Sequence, residues 1–179
     1  MRDLTRILEE ATRRVPKEYF QLPVAGQEDP VYRERVYCYE LYHHVRSLWP
    51  ESTDYSLCGE ADKAGHRLIR GDNLDKTKPD FWVHVPGRMD NELVMEVKPI
   101  NAQKNGVEKD LQTLTAYRRY AEYRRAILLV YGGATDDFYQ FKEVLEAIAA
   151  QDTGDSIDLG LLELWYHPAP GEAAVSVEW

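Results

Sequence analysis

Two strand-like runs separated by a turn, within residues 78–99, constrain the fold of this chain more than any other segment. Polar and apolar residues alternate through 79–85 and again through 93–99, and a turn-rich segment, 86–91, lies between them. Alternation with a period of two is typical of strands that place one face in a core. The sequence therefore predicts an antiparallel hairpin.

The register of this hairpin decides which side chains become neighbours. Strand alternation puts Asp80, Trp82 and His84 on one face, and Glu96 and Lys98 on the matching face of the second strand. The midpoint of the turn predicts that paired residue numbers sum to 176 or 178, the even sums that keep these ionisable groups together. In either register Asp80 lies directly beside Glu96 or Lys98. We therefore expect two carboxylates and a lysine to converge at one end of a sheet.

This cluster predicts a metal site. Two neighbouring carboxylates repel each other unless a cation lies between them. Their oxygens, with waters and a substrate phosphate, are the ligands that Mg²⁺ or Mn²⁺ prefers. Such a metal, bound by Asp80 and Glu96, would polarise a phosphodiester and activate its bound water, which Lys98 could orient. The competing interpretation is structural, with Asp80 capping a turn and Glu96 and Lys98 forming a surface ion pair.

The order of a Pro-Asp pair, a Glu-Val-Lys tripeptide on the next strand and a following helix resembles the PD-(D/E)xK nuclease superfamily, whose fold is that of restriction endonucleases. The match spans roughly residues 30–132. The resemblance implies that Asp80 and Glu96 bind the metal with the carbonyl of Val97, and that Lys98 is the catalytic lysine. It also implies a Glu from the first helix and a polar residue, frequently Gln, from the later helix.

Two glutamates compete for the first-helix role. At about 100° per residue, Glu34 lies about 20° from Leu41 on the apolar stripe, whereas Glu40 lies about 100° away from it. This geometry favours Glu34, and Glu40 stays an alternative. On the later helix the polar candidate is Gln112. Basic residues that could contact nucleic-acid phosphates are Lys78, Lys109, Arg118 and Arg119. The two arginines could equally form a solvated helix end.

The remaining pattern predicts an α/β fold with a mixed sheet. Helices are expected over 2–15, 30–48, 105–123 and 135–151, with caps at Asp29, Asn105 and Thr135 and a connector over 16–29. Further strands are expected over 55–63, 126–131, 157–167 and 173–179. Together with the resemblance, this implies a restriction-endonuclease-like three-layer sandwich, a central mixed β-sheet flanked by helices. We expect a single domain over 1–179, with 2–15 and 136–179 as additions to the core.

Net charge limits how such a chain could hold nucleic acid. The 22 Lys and Arg residues are outnumbered by 31 Asp and Glu residues, which gives a net charge of -9. Residues 60–125 carry 13 basic and 11 acidic residues (+2), whereas 126–179 carry 1 and 10 (-9). We therefore expect a locally basic cleft rather than indiscriminate coating of DNA, with the acidic C-terminal part turned away from substrate or toward a basic partner.

These observations predict a Mg²⁺-dependent nuclease that hydrolyses phosphodiester bonds of DNA, although RNA or a branched junction would use the same chemistry. The alternative is a catalytically inactive nuclease-fold module that binds or regulates within a larger nucleic-acid-processing or defence system. A protein partner or a homodimer could supply specificity, because no helix-turn-helix or zinc finger is evident. Without a membrane-length apolar run or a secretory signal, no membrane contact and a cytoplasmic location are expected.

Overall fold

Six strands in the described part of the chain form one mixed sheet, ordered as they occur in the sequence. A computed structural model describes residues 3–59, 74, 77–154 and 156–179. The strands are β1 (Ser56–Gly59), β2 (Phe81–His84), β3 (Asn91–Pro99), β4 (Arg125–Tyr131), β5 (Glu163–His167) and β6 (Val175–Val177). β3, β4 and β5 run parallel, and every other neighbouring pair is antiparallel.

Five helices in the described residues cover the two faces of this sheet. They are α1 (Leu4–Arg13), α2 (Lys17–Phe20), α3 (Glu34–Ser47), α4 (Lys104–Tyr120) and α5 (Thr135–Gln151). The first three helices share a buried apolar cluster with Phe81 and Met95, while α4 and α5 share another with Val94 and Leu128. The fold is therefore α/β, with helices on both sides of a mixed sheet. None of the described helices is long and apolar enough to cross a membrane.

The predicted hairpin is confirmed, in the first of the two expected registers. Phe81 pairs with Met95 and Trp82 with Val94, so the paired numbers sum to 176. Phe81 is buried beneath α1 to α3, whereas Trp82 packs against the core of the opposite face. Asp80 precedes β2 by one residue and therefore lies on the face of Trp82, beside Glu96.

The start of α3 differs from the prediction of a helix beginning at Pro30. Leu22 and Val31 exchange two backbone hydrogen bonds, of 2.8 and 3.0 Å, and this bridge keeps residue 31 in an extended conformation. The helix begins only at Glu34. The predicted connector 16–29 also contains the short helix α2, whose Phe20 is buried in the core.

The other helix starts are each shifted by one or two residues. Gln103 and Ala134 occupy the cap positions of α4 and α5, so the predicted caps Asn105 and Thr135 lie within the helices. At α5 the Ala134 N–H donates to the Asp137 carboxylate at 2.9 Å. This acid satisfies a helix-terminal donor, as its position in the first turn favours.

The strands near the two edges of the sheet differ from the predicted ranges. Residues 157–167 do not form one strand, because 159–161 make a turn of 3₁₀ helix before β5. β5 and β6 pair in antiparallel orientation, and β6 covers only 175–177 of the predicted strand 173–179. At the other edge β1 ends at Gly59, and residues 60–63 of its predicted strand lie outside the described residues.

Candidate functional site

A polar pocket of about 270 Å³ lies where the start of β2 and the end of β3 meet the first turn of α3 and the second and third turns of α4. Its lining includes four acidic and four basic residues: Glu34, Asp80, Glu96, Asp110, Arg35, Lys78, Lys98 and Lys109. We call it the acidic pocket, after its four carboxyl groups. Asp80, Glu96 and Lys98 come from the hairpin, whereas Glu34 and Asp110 come from helices on opposite faces of the sheet.

Asp80 is fixed at the point where β2 stops pairing with β3. The pairing of β2 with β3 ends at Met95, and beyond it the Val97 N–H donates to the Asp80 carboxylate at 2.8 Å. Because the N–H and C=O of one strand residue point to the same edge, the Val97 carbonyl is directed toward this side as well. Asp80 and the backbone of Val97 therefore meet at one edge of β3.

Burial raises the proton affinity of two acids of this pocket. It raises the pKa of Asp80 to about 6, against the opposing hydrogen bond from Val97 N–H. The pKa of Glu96 is raised well above its usual value, first by burial and then by the negative charges of Asp110 and Asp80. A cation bound between the carboxyl groups of Asp80 and Glu96 would offset their mutual repulsion.

Lys98 lies between two other carboxylates. Its Nζ is 2.8 Å from Glu34 Oε2 and 2.9 Å from Asp110 Oδ2, and 12% of the side chain is exposed. Burial alone would lower the pKa of Lys98, but the charges of Asp110 and Glu34 outweigh it and raise the pKa above the usual value. Lys98 is thus a cation at neutral pH, paired with one residue from each helical layer.

The interpretation of these residues as surface features is wrong. Glu96 is 7% exposed, and the partners of Lys98 are Glu34 and Asp110 rather than Glu96. Asp80 extends the hydrogen bonding of β3 instead of capping a turn of its own. Burying several carboxylates together lowers the stability of a fold unless a bound cation offsets their repulsion. Such a cluster is therefore more typical of functional sites than of structural ones.

Of the two glutamates proposed from α3, only Glu34 lines the acidic pocket. Glu40 Oε1 instead lies 3.1 Å from His44 Nε2, one turn along the same helix. The predicted geometry favoured Glu34, because its position on the apolar stripe points it toward the sheet. The ion pair with Lys98 agrees with that reasoning.

Gln112 does not line the acidic pocket, and α4 contributes Asp110 and Thr113 instead. Residues two apart on a helix point about 200° away from each other, so Gln112 cannot share the face of Asp110. The sequence did hold a signal for Asp110. It lies seven residues before Tyr117, about 20° from it on the apolar stripe, which is the same relation that singled out Glu34.

The predicted phosphate contacts divide into two groups. Lys78 and Lys109 line the acidic pocket, together with Arg35, which the sequence reasoning missed. Arg118 and Arg119 lie elsewhere. The first donates to the carbonyls of residues 123 and 161, and the second is 3.2 Å from the Asp158 carboxylate. These two arginines bind the segment before β5 to α4 rather than facing the acidic pocket.

The donor set of the acidic pocket suits a hard divalent cation. Asp80, Glu96 and the Val97 carbonyl offer oxygen ligands, and the lining of the pocket brings four carboxyl groups together. Among the described residues, no group of three or more His, Cys, Asp and Glu side chains is already arranged to hold a metal. The residues therefore fit Mg²⁺ or Mn²⁺ by donor type, with the Val97 carbonyl as a third candidate ligand.

Replacing Asp80 with asparagine is expected to stabilise the metal-free protein above about pH 6. With a pKa of about 6, above the ordinary value of about 3.9, Asp80 binds more protons when folded, so its contribution to stability is lost as pH rises through about 6. Asparagine does not ionise. The unfolding free energy of the variant, relative to the original protein, should rise by about 2 kcal/mol between pH 4 and pH 7.5.

Urea unfolding in EDTA at these pH values measures this difference. Burial lowers the pKa of His167 to about 4, so its contribution falls as pH drops through that region, but it is common to both proteins and cancels. Asp136→Asn at the exposed start of α5 is the matched control. The assigned environment of Asp80 would be contradicted if the unfolding free energy of Asp80→Asn, relative to the original protein, stayed constant or fell between pH 4 and pH 7.5.

Comparisons of this chain with protein families, with curated proteins and with solved structures found no match. The functional argument for the chain therefore rests on its own residues, and above all on the buried Asp80–Glu96 pair beside the Lys98 cation.

Proposed function

We propose that this chain is a Mg²⁺-dependent nuclease of the PD-(D/E)xK superfamily that hydrolyses phosphodiester bonds of DNA. The observation that supports the proposal is the meeting of Asp80, Glu96 and Lys98 in one buried pocket with basic residues among its lining. Their order along the hairpin is the order that the superfamily motif requires. Two neighbouring carboxyl groups at the end of a strand pair offer the hard oxygen ligands that such a metal prefers.

The arrangement of elements supports a restriction-endonuclease-like fold. Helix α3, three antiparallel strands, helix α4 and a parallel strand β4 follow one another in the order of that superfamily. The crossover through α4 brings β4 beside β3, and it places the first turns of α4 over the end of β3 that carries Glu96 and Lys98.

In the proposed reaction each side chain has a separate task. A bound Mg²⁺ would supply an activated water and stabilise negative charge on the phosphate. Asp80, Glu96 and the Val97 carbonyl would hold it. Lys98, fixed as a cation by Glu34 and Asp110, would orient the attacking water or stabilise charge at phosphorus. Lys78 and Lys109 would bind flanking phosphates, since both line the acidic pocket.

The second candidate function is a catalytically inactive nuclease-fold module that binds or regulates within a larger system. One observation favours it, namely that the described acids are not already arranged as a three-residue metal group. In that function the Glu34–Lys98–Asp110 ion pairs would be structural. Metal binding discriminates between the two candidates, because the module needs no divalent cation.

Purified protein is expected to nick supercoiled plasmid DNA with Mg²⁺ or Mn²⁺ and to leave it intact in EDTA. Calorimetric titration with Mn²⁺ should give a measurable heat of binding, and Asp80→Asn should abolish it because a ligand is lost. Glu40→Gln should bind Mn²⁺ and cut DNA as the original protein does. Absence of both cutting and Mn²⁺ binding at millimolar metal would favour the inactive module.

A further inference from the structure

A second pocket opens beside the acidic pocket and shares Asp80 with it. Its volume is about 430 Å³, within the range of about 300–1,000 Å³ that is common for ligand pockets. It is lined by Cys38, Tyr39, Tyr42, Gly59, Asp80 and Phe81. Apart from Asp80, these residues are apolar or aromatic. We call this space the tyrosine cleft.

The tyrosine cleft has an ordered aromatic pair and an accessible tyrosine beside it. The ring of Tyr42 stacks on Phe81 with centroids 6.3 Å apart and planes 26° apart, and its hydroxyl donates to the Leu57 carbonyl at 3.3 Å. Tyr39 lies three residues earlier on α3, and so on the same side of the helix, with 62% of its surface exposed. A planar group that enters the cleft could therefore stack on the accessible ring of Tyr39.

Gly59 at the end of β1 keeps this space open. A Cβ atom at this position would lie 3.5 Å from the Tyr42 ring and 3.4 Å from the Asp80 carbonyl oxygen. The glycine thus leaves this part of the cleft lining without a side chain beside Tyr42.

We propose that the tyrosine cleft binds an unpaired nucleobase next to the scissile phosphate, so that the preferred substrate is single-stranded DNA or a duplex with an unpaired base at the cut. This inference rests on the proposed nuclease function. Aromatic side chains bind bases by stacking with little dependence on sequence. A base within a duplex would first have to leave the stack to reach such a cleft.

The two pockets have different chemistry: one suits the phosphate of a nucleotide and the other suits its base. The acidic pocket is lined by Arg35, Lys78, Lys98 and Lys109, which suit a phosphate. None of the described residues that line the tyrosine cleft is basic. Because Asp80 borders both pockets, a base that adjoins a phosphate bound through a metal at Asp80 would lie near the mouth of the cleft.

Equilibrium binding of a fluorescently labelled 12-residue oligothymidylate, with Ca²⁺ in place of Mg²⁺, tests the cleft without requiring cleavage. Tyr39→Ala should weaken binding about tenfold, which is the effect of losing one stacked base, and Tyr39→Phe should not. An oligomer of equal length with abasic sugars should bind more weakly than the thymidylate and be unaffected by Tyr39→Ala. Tyr139→Ala is the matched control, since Tyr139 lies on α5 and is 54% exposed.

Two results would overturn the inference. One is equal binding of thymidylate and abasic oligomers, and the other is equal weakening by Tyr39→Ala and Tyr139→Ala. Cleavage separates this inference from the proposed function. If DNA is cut with Mg²⁺ but duplex and single strands are cut equally and Tyr39→Ala has no effect, only the cleft inference is wrong. If Tyr39-dependent binding is found and no metal supports cleavage, only the nuclease proposal fails.

Discussion

Asp80→Ala and Lys98→Ala are each expected to lower the rate of metal-dependent DNA cleavage by at least about 10²-fold, for different reasons. Removing Asp80 would delete a proposed metal ligand, and it leaves the Val97 N–H without its acceptor. Removing Lys98 would keep the proposed metal ligands but delete the cation proposed to face the developing charge on phosphate, and a single such group is worth about 10²–10³ in rate.

Single-turnover cleavage and Mn²⁺ titration of the same preparations distinguish these losses. Asp80→Ala should lose both cleavage and metal binding, whereas Lys98→Ala should keep metal binding. Because Lys98→Ala also leaves Glu34 and Asp110 without their cation, its rate must be normalised to the folded fraction from circular dichroism. Cleavage at the original rate by both variants would show that the acidic pocket is not the active site.

The second large effect is expected at Asp110, with Gln112 as the matched control on the same helix. Asp110→Asn should lower the cleavage rate by about tenfold to a hundredfold, because Lys98 would keep only Glu34 as a charged partner. Gln112→Ala should leave the rate unchanged, since Gln112 does not line the acidic pocket. Asp110 is thus proposed as a positioning residue that acts through Lys98.

A pH profile separates this role from a general structural one. The negative charge of Asp110 raises the pKa of Lys98, so its removal should lower that pKa. If cleavage requires the cationic lysine, activity of Asp110→Asn should fall at a lower pH on the alkaline side than activity of the original protein. An unshifted alkaline limb, or equal rate losses in Asp110→Asn and Gln112→Ala, would contradict the assignment.

The hairpin could be predicted closely because its information is local. The turn limits the register to two alternatives and alternation fixes the face, so residues 79–99 alone placed Asp80 beside Glu96 or Lys98, and the structure has the first of these registers. Glu34 was favoured by the same kind of argument, since helical periodicity tells which side of α3 faces the sheet. These predictions needed only the regular geometry of one element at a time.

Predictions that depended on contacts between distant segments were less accurate. The bridge between Leu22 and Val31 delays the start of α3, and neither residue carries a local signal for that pairing. Asp110 was missed for a different reason. The family resemblance implied a glutamine on this helix, and Gln112 was predicted for that reason. The apolar stripe of α4 already placed Asp110 on the inward face.

The described lining residues of the acidic pocket fall between positions 34 and 113, so the strongly acidic segment 126–179 contributes none of them. The negative charge of the whole chain therefore says little about the potential near Lys78 and Lys109. Salt dependence of DNA binding should reflect these few basic residues rather than the net charge.

Lys98 is bound by Glu34 from one helical layer and by Asp110 from the other. The environment of its ammonium group therefore exists only while both layers are packed on the sheet. Glu34 in turn depends on the packing of α3, which shares its buried apolar cluster with α1. Substitutions of core residues such as Leu4 and Leu8, which lie far along the chain from the hairpin, can therefore impair the site as well. Selection for the chemistry thus also acts on the interior of the fold.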